Sequence, residues 1–135
     1  MVVVDTNIVL DALLDRPGLA DSACLVMRQV ETGNLPAGLC ATTVTTLDYL
    51  LCRHFDAATS RQAVRALLRI FEVAPVNRAV VDAALSSDMR DFEDAVLAHA
   101  AQASGARAIV TRNLRDFTAS PVRAFTPEQW LALHP

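Results

Sequence analysis

The most informative absence in this 135-residue sequence is lysine, because all twelve basic residues are arginine. A P-loop requires a lysine that contacts the nucleotide phosphates, and a Schiff-base enzyme requires a lysine nucleophile. The sequence therefore excludes both classes. Its formal net charge of −3 gives no strongly basic face of the kind found on most nucleic-acid-binding proteins. If the partner is RNA, a bound metal and a local arginine patch must overcome the repulsion.

Cysteine and histidine are too scattered to form a metal site. Cys24, Cys40 and Cys52 are an odd number with no paired close spacing, so neither a disulfide framework nor a zinc site is indicated. We expect all three to be small core residues. The three histidines lie far apart in the chain and none has the spacing of metal ligands.

Long apolar runs are also absent. The opening run ends at Asp5, and the next apolar stretch is broken by acids, so neither a signal peptide core nor a membrane span is indicated. With 53% hydrophobic and 20% charged residues, the composition is typical of a globular protein. We expect one domain over residues 1–135, located in the cytoplasm and without a membrane partner.

Short β-branched runs alternate with helical patterns along the chain. This order predicts an α/β fold with a central, mostly parallel sheet of four to five short strands and helices on both faces. Strands are expected near residues 1–5, 35–41, 73–76, 106–111 and 122–125. Helices are expected after Asp5, over 20–31 with Asp21 or Ser22 as start signals, over 42–51, after Asp56 or Ser60, over 77–87, over 91–105, and from Thr126-Pro127 onward.

Three acid-bearing segments fall where strands end or helices begin. They are Asp5-Thr6-Asn7, Asp91-Phe92-Glu93-Asp94 and the stretch from Thr111 to Asp116. Ligands bind at the carboxyl ends of strands in such sheets, so these segments are expected to meet there. Carboxylates that meet without cationic partners repel one another unless a hard cation joins them, and oxygen ligands favour Mg²⁺ or Mn²⁺.

Each segment also has a purely structural interpretation. An acid after a strand is commonly a helix cap, which fits Asp5 and Asp91, while Glu93 and Asp94 in a first turn favour the helix dipole. Asp116 alone is a polar loop residue. On this interpretation, Asp5→Asn would leave metal binding and RNA unchanged and would alter stability by only about 1 kcal/mol.

The order and spacing of the three segments resemble the PIN domain family, and within it the bacterial branch of VapC-like toxins. The resemblance covers nearly the whole chain and rests on VVVDTNIVLDALLDR, DFEDAVLAHAAQASGA, and IVTRNLRDF followed by TPEQWL. It implies that Asp5, Asp94 and Asp116 are the catalytic, metal-binding acids. It also implies that Thr6 and Asn7 support Asp5, and that Thr111 lines the site beside Asn113.

Two positions depart from the family pattern. Many members carry a Glu early in the helix after the second strand, where this chain has Thr46. Asp48 lies about 200° around a helix from Thr46 and does not replace it without a shift in register. Many members also have an acid at the position of Asn113, so Asp116 would carry the charge there. Asp91 shares a helix face with Asp94 and is a further candidate metal ligand, with Glu93 nearby.

The resemblance implies a Mg²⁺- or Mn²⁺-dependent endoribonuclease, the toxin of a type II toxin–antitoxin pair. Its implied partners are RNA, a small antitoxin that blocks the site, and a second copy of the chain in a homodimer. Arg112 and Arg115 are candidates for holding RNA phosphates, although a surface ion pair is the commoner role of such arginines. Phe92 and Phe117 are expected in the core, which leaves no aromatic row for stacking bases.

Two other functions are alternatives to this one, and the residues argue against the first. Aspartate-nucleophile phosphatases resemble this chain in placing an Asp after strand one, but they use a second Asp two residues on and a lysine. Here that position is Asn7 and there is no lysine; a receiver domain fails for the same lack of lysine. A PIN fold that has lost catalysis and binds RNA or a protein without cleavage is the second alternative.

Overall fold

Five short strands form one parallel sheet in the computed structural model, which describes all residues from 1 to 135. The strands are β1 (Val2–Val4), β2 (Ala37–Cys40), β3 (Glu72–Ala74), β4 (Ala108–Val110) and β5 (Ala124–Phe125). Their order across the sheet is β3-β2-β1-β4-β5, with every neighbouring pair parallel. The first strand of the chain is therefore the central strand of the sheet.

Seven α-helices and one 3₁₀ helix connect the strands. The α-helices are α1 (Thr6–Leu13), α2 (Ala20–Glu31), α3 (Ala41–Leu51), α4 (Ala57–Leu67), α5 (Arg78–Leu85), α6 (Phe92–Ala103) and α7 (Pro127–Leu133). The 3₁₀ helix spans Leu114–Phe117. The predicted α/β class, the parallel sheet and the helices on both of its faces are confirmed.

The two faces of the sheet bury two separate apolar clusters. Val2 and Val4 point into one cluster and Val3 into the other, because successive side chains of a strand alternate between faces. The first cluster is covered by buried residues of α1, α2, α3, α4 and α7, and the second by those of α5 and α6. The sheet is thus the middle of three layers.

Capping residues explain several helix boundaries. Asp56 caps α4 by accepting from the backbone N–H of Thr59, and Asn77 caps α5 in the same way. Thr126 and Gln129 form a reciprocal capping box at the start of α7, with Pro127 in its first turn. The expected bounds of α2 hold, but neither Asp21 nor Ser22 caps it; the N-cap is Leu19, without a side-chain hydrogen bond.

Three expectations about burial are wrong. Of the cysteines, only Cys40 is buried, whereas Cys24 and Cys52 are exposed. Phe92 is 50% exposed because it lies in the first turn of α6, before the buried part of the helix begins at Ala95, while Phe117 is buried as expected. No helix in the chain is both long enough and apolar enough to cross a membrane.

Candidate active site

The central pairing of the sheet brings Asp5 and Thr111 together. Val4 of β1 lies opposite Val110 of β4, so the residues that follow them leave the sheet side by side at its carboxyl edge. The Thr111 hydroxyl donates a hydrogen bond of 2.7 Å to Oδ2 of Asp5, and both residues are buried. Two segments that are far apart in sequence thus share one buried contact.

Asp5 is held by its own segment as well as by Thr111. Its Oδ1 accepts a 2.7 Å hydrogen bond from the backbone N–H of Thr6, which makes it the N-cap of α1, and Oδ2 accepts one of 3.3 Å from Nδ2 of Asn7. The side chain of Thr6 donates in turn to the hydroxyl of Thr43. These contacts fix the orientation of the carboxylate without placing a cation against it.

Burial raises the pKa of Asp5 above its ordinary value, and the negative charge of Glu93 adds to the rise. The hydrogen bonds from Thr111 and from the Thr6 backbone oppose this effect, as does the more distant charge of Arg112. The effect of burial on the pKa outweighs that of the hydrogen bonds, so the charged form of Asp5 is disfavoured. A nearby positive charge would stabilise it.

Asp94, in the first turn of α6, also has a strongly raised pKa. Its pKa is raised to about 7, first by burial and then by the negative charges of Asp5, Asp91, Asp116 and Glu93. Four other carboxylates therefore lie within electrostatic reach of Asp94. The structure brings all three predicted catalytic acids, Asp5, Asp94 and Asp116, into this one cluster.

The other two acids of α6 have definite contacts. Asp91 is the N-cap of the helix, and its Oδ1 accepts a hydrogen bond of 2.9 Å from the backbone N–H of Asp94. Glu93 approaches α3, where its Oε1 accepts a long hydrogen bond of 3.4 Å from the hydroxyl of Thr46. Asp91 therefore caps α6, as expected, and lies close to Asp94. Glu93, also from α6, lies beside Thr46, the α3 position at which the sequence departs from the family pattern.

The segment after β4 forms the remaining wall of the site. The backbone N–H of Asn113 donates to the Thr111 hydroxyl oxygen at 3.1 Å, which turns the chain into the 3₁₀ helix that carries Arg115 and Asp116. Phe117, at the end of this helix, is buried in the core cluster beneath α5 and α6. Asp116 is therefore held between a hydrogen-bonded turn and an apolar anchor.

Asp11 is a contributor to the architecture of the site that the sequence analysis did not identify. It lies on α1 and is only 1% exposed, and it accepts hydrogen bonds from two arginines. Nε of Arg112 donates to Oδ2 at 2.6 Å, and Nη1 of Arg16 donates to Oδ1 at 3.2 Å. The sequence did carry a signal: Asp11 follows Ile8 by three residues, so it lies on the buried face of α1. Arg112 is thus engaged in an ion pair, whereas Arg115 is exposed and forms none.

The chemistry of this cluster fits a hard divalent cation. Its possible donors are carboxylate, hydroxyl and amide oxygens, which favour Mg²⁺ or Mn²⁺ over softer metals. Burial first, and then neighbouring negative charges, raise the pKa of Asp94, so a bound cation would offset part of this effect. No three of the chain's acidic, histidine or cysteine side chains converge tightly enough to hold a metal ion without adjustment. Binding a cation here would therefore require the side chains of Asp94 and Asp116 to move towards Asp5, whose carboxylate is fixed by hydrogen bonds.

A family model described as the PIN domain matches residues 1–115 of the chain. The chain belongs to the PIN domain family. The match begins before β1 and stops one residue before Asp116. The predicted family resemblance is confirmed. No curated protein sequence gives a significant match.

Solved PIN-fold structures have the same architecture over nearly the whole chain. One is the crystal structure of VapBC2 from Rickettsia felis bound to a promoter DNA fragment, with a TM-score of 0.72 and 17% identity over 93% of this chain and 98% of that one. FitAcB from Neisseria gonorrhoeae has a TM-score of 0.71 and 20% identity, covering 95% and 99%. Mycobacterium tuberculosis VapC20, described as a sarcin–ricin loop cleaving toxin, has a TM-score of 0.67 and 16% identity, covering 91% and 99%. At these identities the similarity establishes the PIN fold.

Proposed function

We propose that this PIN domain is a Mg²⁺- or Mn²⁺-dependent endoribonuclease and acts as the toxin of a toxin–antitoxin pair. The observation that carries the proposal is the cluster of carboxylates around Asp94, in which burial and like charge raise the pKa of Asp94 to about 7. An arrangement that costs free energy in the isolated protein is typical of a site built for a ligand. The described activity of VapC20, an RNA-cleaving toxin of the same fold, supports RNA as the substrate.

The residues that would hold the metal are Asp5, Asp94 and Asp116, with Asp91 beside them. Bound there, the ion would polarise the scissile phosphate and lower the pKa of an attacking water. Asp5 is preoriented by Thr6, Asn7 and Thr111, so it supplies the fixed part of the site. Asp94 would lose its proton when the metal binds, because the cation reverses the electrostatic cost of its charge.

No side chain of the chain is required as a nucleophile in this chemistry. The acids at the edge carry negative charge that repels RNA, so substrate binding depends on the metal and on nearby arginines. Phe92, half-exposed at the start of α6, offers one aromatic face on which a base could stack. The expected reaction is hydrolysis that leaves a 5′-phosphate and a 3′-hydroxyl.

The test is cleavage of a mixed, structured RNA pool by the purified protein with Mn²⁺ or Mg²⁺, with and without EDTA. We expect metal-dependent cleavage that Asp5→Asn and Asp94→Asn each reduce by at least about a hundredfold. Asp82→Asn is the matched control, because Asp82 pairs with Arg78 on the exposed surface of α5. Cleavage that survives in EDTA, or in both site variants, would refute the proposal.

A second candidate function is a PIN module that binds RNA without cleaving it. It is favoured by Thr46, which stands where many family members have an acid, and by the incomplete convergence of the carboxylates. Isothermal titration with Mn²⁺ separates the two functions. Binding that requires Asp5 and Asp94 supports the nuclease, whereas RNA binding without metal binding or cleavage supports the module.

An antitoxin partner and a homodimer are also part of the proposal. Support for the partner comes from structures of similar fold, which include VapBC2 from Rickettsia felis and a toxin–antitoxin complex from Klebsiella pneumoniae. Light scattering of the purified chain measures its mass in solution, and a monomeric mass would refute the dimer. Growth arrest on expression, relieved by a small protein encoded beside it, is the expected toxin phenotype.

A further inference from the structure

A polar cavity opens on one flank of the acidic site. Its volume is about 560 Å³, within the roughly 300–1,000 Å³ that small-molecule sites occupy. Residues 88–90 form one wall and residues 115, 116, 118 and 119 the other. Asp116, a proposed metal ligand, is therefore also a lining residue of this cavity.

Two arginines with free guanidinium groups face this cavity, one from each wall. Arg90 comes from the loop between α5 and α6, and Arg115 comes from the 3₁₀ helix. Both are exposed, and neither takes part in any of the three ion pairs of the chain. The third arginine near the site, Arg112, is bound to Asp11. The cavity lining thus contains two arginines outside any ion pair, together with the acids Asp88 and Asp116.

The walls of the cavity are anchored to the same part of the core. Met89, next to Arg90, is buried, and its backbone N–H donates to the Ser87 hydroxyl oxygen at 3.1 Å. Phe117, two residues after Arg115, is buried in the same apolar cluster as Met89. Because both anchors belong to one cluster, the backbones that carry the two arginines are held at a fixed separation.

We propose that this cavity, the Arg90–Arg115 cleft, binds the RNA nucleotide next to the scissile phosphate and that its arginines hold that nucleotide's own phosphate. Arginine forms bidentate hydrogen bonds with phosphate and keeps its charge at all relevant pH values. The inference rests on the proposed function, since Asp116 fixes where the scissile phosphate would lie. A larger cavity of about 740 Å³ between α2 and α7 includes Arg28 and Arg107 but no acid, so nothing there couples binding to the proposed reaction.

The test measures RNA binding separately from cleavage. A short fluorescein-labelled single-stranded oligoribonucleotide of mixed sequence is titrated with Asp94→Asn protein, which the proposed function makes inactive, and binding is followed by fluorescence anisotropy. Arg90→Gln and Arg115→Gln are each added to this background. The control is Arg69→Gln, which changes the charge equally at an exposed residue just before β3, on the opposite edge of the sheet.

We expect each cleft variant to raise the Kd about fivefold to tenfold, with little change for Arg69→Gln. The slope of log Kd against log salt should fall by about 0.7 for each arginine, as expected for one phosphate contact on a single strand. Equal effects of all three variants would refute the proposal that the cleft binds RNA. If the protein never cleaves RNA but shows the expected differences in Kd, the proposed nuclease activity is refuted and the proposed RNA binding at the cleft is supported.

Discussion

Nε of Arg112 donates a hydrogen bond of 2.6 Å to Oδ2 of Asp11, and Nη2 of the same guanidinium donates to Oδ1 at 3.3 Å. This bidentate contact ties α1 to the segment that follows β4. Its position matters because Arg112 lies between Thr111, which contacts Asp5, and Asn113, which begins the turn towards Asp116. The backbone N–H of Arg112 also contacts Oδ1 of Asn7 at 3.4 Å. The ion pair therefore holds together the two segments that supply Asp5 and Asp116.

Loss of the Arg112 side chain should destabilise the fold, because Asp11 would remain buried with only Arg16 as a partner. We expect Arg112→Ala to lower the free energy of unfolding in urea by about 2–4 kcal/mol. Arg115→Ala, at an exposed residue without an ion pair, should change it by less than about 0.5 kcal/mol. Adding Asp11→Ala to Arg112→Ala should cost less than the sum of the single changes. Strict additivity would show that the two side chains do not depend on each other.

Thr111→Val should weaken metal binding while preserving the shape of the residue. The variant removes the hydroxyl that donates to Asp5 and accepts from the backbone of Asn113. We expect Mn²⁺ affinity, measured by isothermal titration, to fall about tenfold to a hundredfold, as is typical when a partner of a metal ligand is lost. Unfolding should become easier by about 1–2 kcal/mol. Thr32→Val, at an exposed helix end, is the control, and equal Mn²⁺ affinity in both variants would contradict the expected role of Thr111.

The metal-free protein should lose stability as the pH rises from about 4 to about 7. The pKa of Asp94 is raised from 3.8 to about 7 in the folded state, so the folded state binds more protons than the unfolded state over this range. Its stabilising contribution is complete below the unfolded pKa and is lost as the pH passes through the folded value. After allowance for solvent screening at this half-buried group, we expect a loss of about 1–2 kcal/mol.

Urea unfolding in EDTA at a series of pH values measures this loss. Asp94→Asn should flatten the profile, since the amide does not titrate. Some slope should remain because the pKa of Asp5 is raised in the same direction. Profiles that run parallel in the wild type and in Asp94→Asn would show that Asp94 does not titrate as described.

Thr46→Glu should have opposite effects on stability without and with metal. The new carboxylate would lie beside Glu93, whose Oε1 is 3.4 Å from the hydroxyl oxygen of Thr46. In EDTA we expect a lower melting temperature than for Thr46→Gln, which has the same size without the charge. In Mn²⁺ the added ligand should produce a larger upward shift than in the wild type. Identical melting temperatures of the Glu and Gln variants in EDTA and in Mn²⁺ would show that position 46 is not part of the metal site.

Phe92→Ala should weaken RNA binding without weakening the fold. The ring is 50% exposed at the start of α6, so its removal should change unfolding by less than about 0.5 kcal/mol. If a base stacks on it, the Kd for single-stranded RNA should rise about fivefold or more. Leu133→Ala removes an apolar side chain that is 61% exposed on α7 and serves as the control. Equal Kd values for the two variants would exclude stacking at Phe92.

The sequence predicted the layered fold because its signals are local. The Val-rich opening predicted a buried strand at β1, the Thr126-Pro127 pair predicted the start of α7, and Asn77 predicted the cap of α5. Each strand was predicted one to three residues longer than it is, because a residue-type pattern does not indicate where strand pairing begins and ends. Which strands are neighbours follows from long-range pairing, and the sequence alone carries no local signal for it.

The errors have a different origin. Phe92 and the two exposed cysteines were assigned to the core from residue type, although burial depends on the helix face and on how close a position lies to a helix end. Asp11 was interpreted only as an interruption of an apolar run, because its two arginine partners follow it by 5 and 101 residues. The gathering of Asp5, Asp94 and Asp116 was anticipated from family resemblance. The raised pKa values of Asp5 and Asp94 depend on burial and on distances that only the folded structure gives.

The Asp5–Thr111 hydrogen bond spans 106 residues of chain, which determines when the site can assemble during protein synthesis. Asp5 is synthesised before β4 and before the turn that carries Asp116, which follow it by more than 100 residues. At about 5–20 residues per second, the interval is roughly 5–20 s. Throughout that time β1 lacks one of its two neighbouring strands. We therefore expect a nascent chain to carry no assembled nuclease site, and hence none of the proposed activity, until β4 and the turn that carries Asp116 have been made.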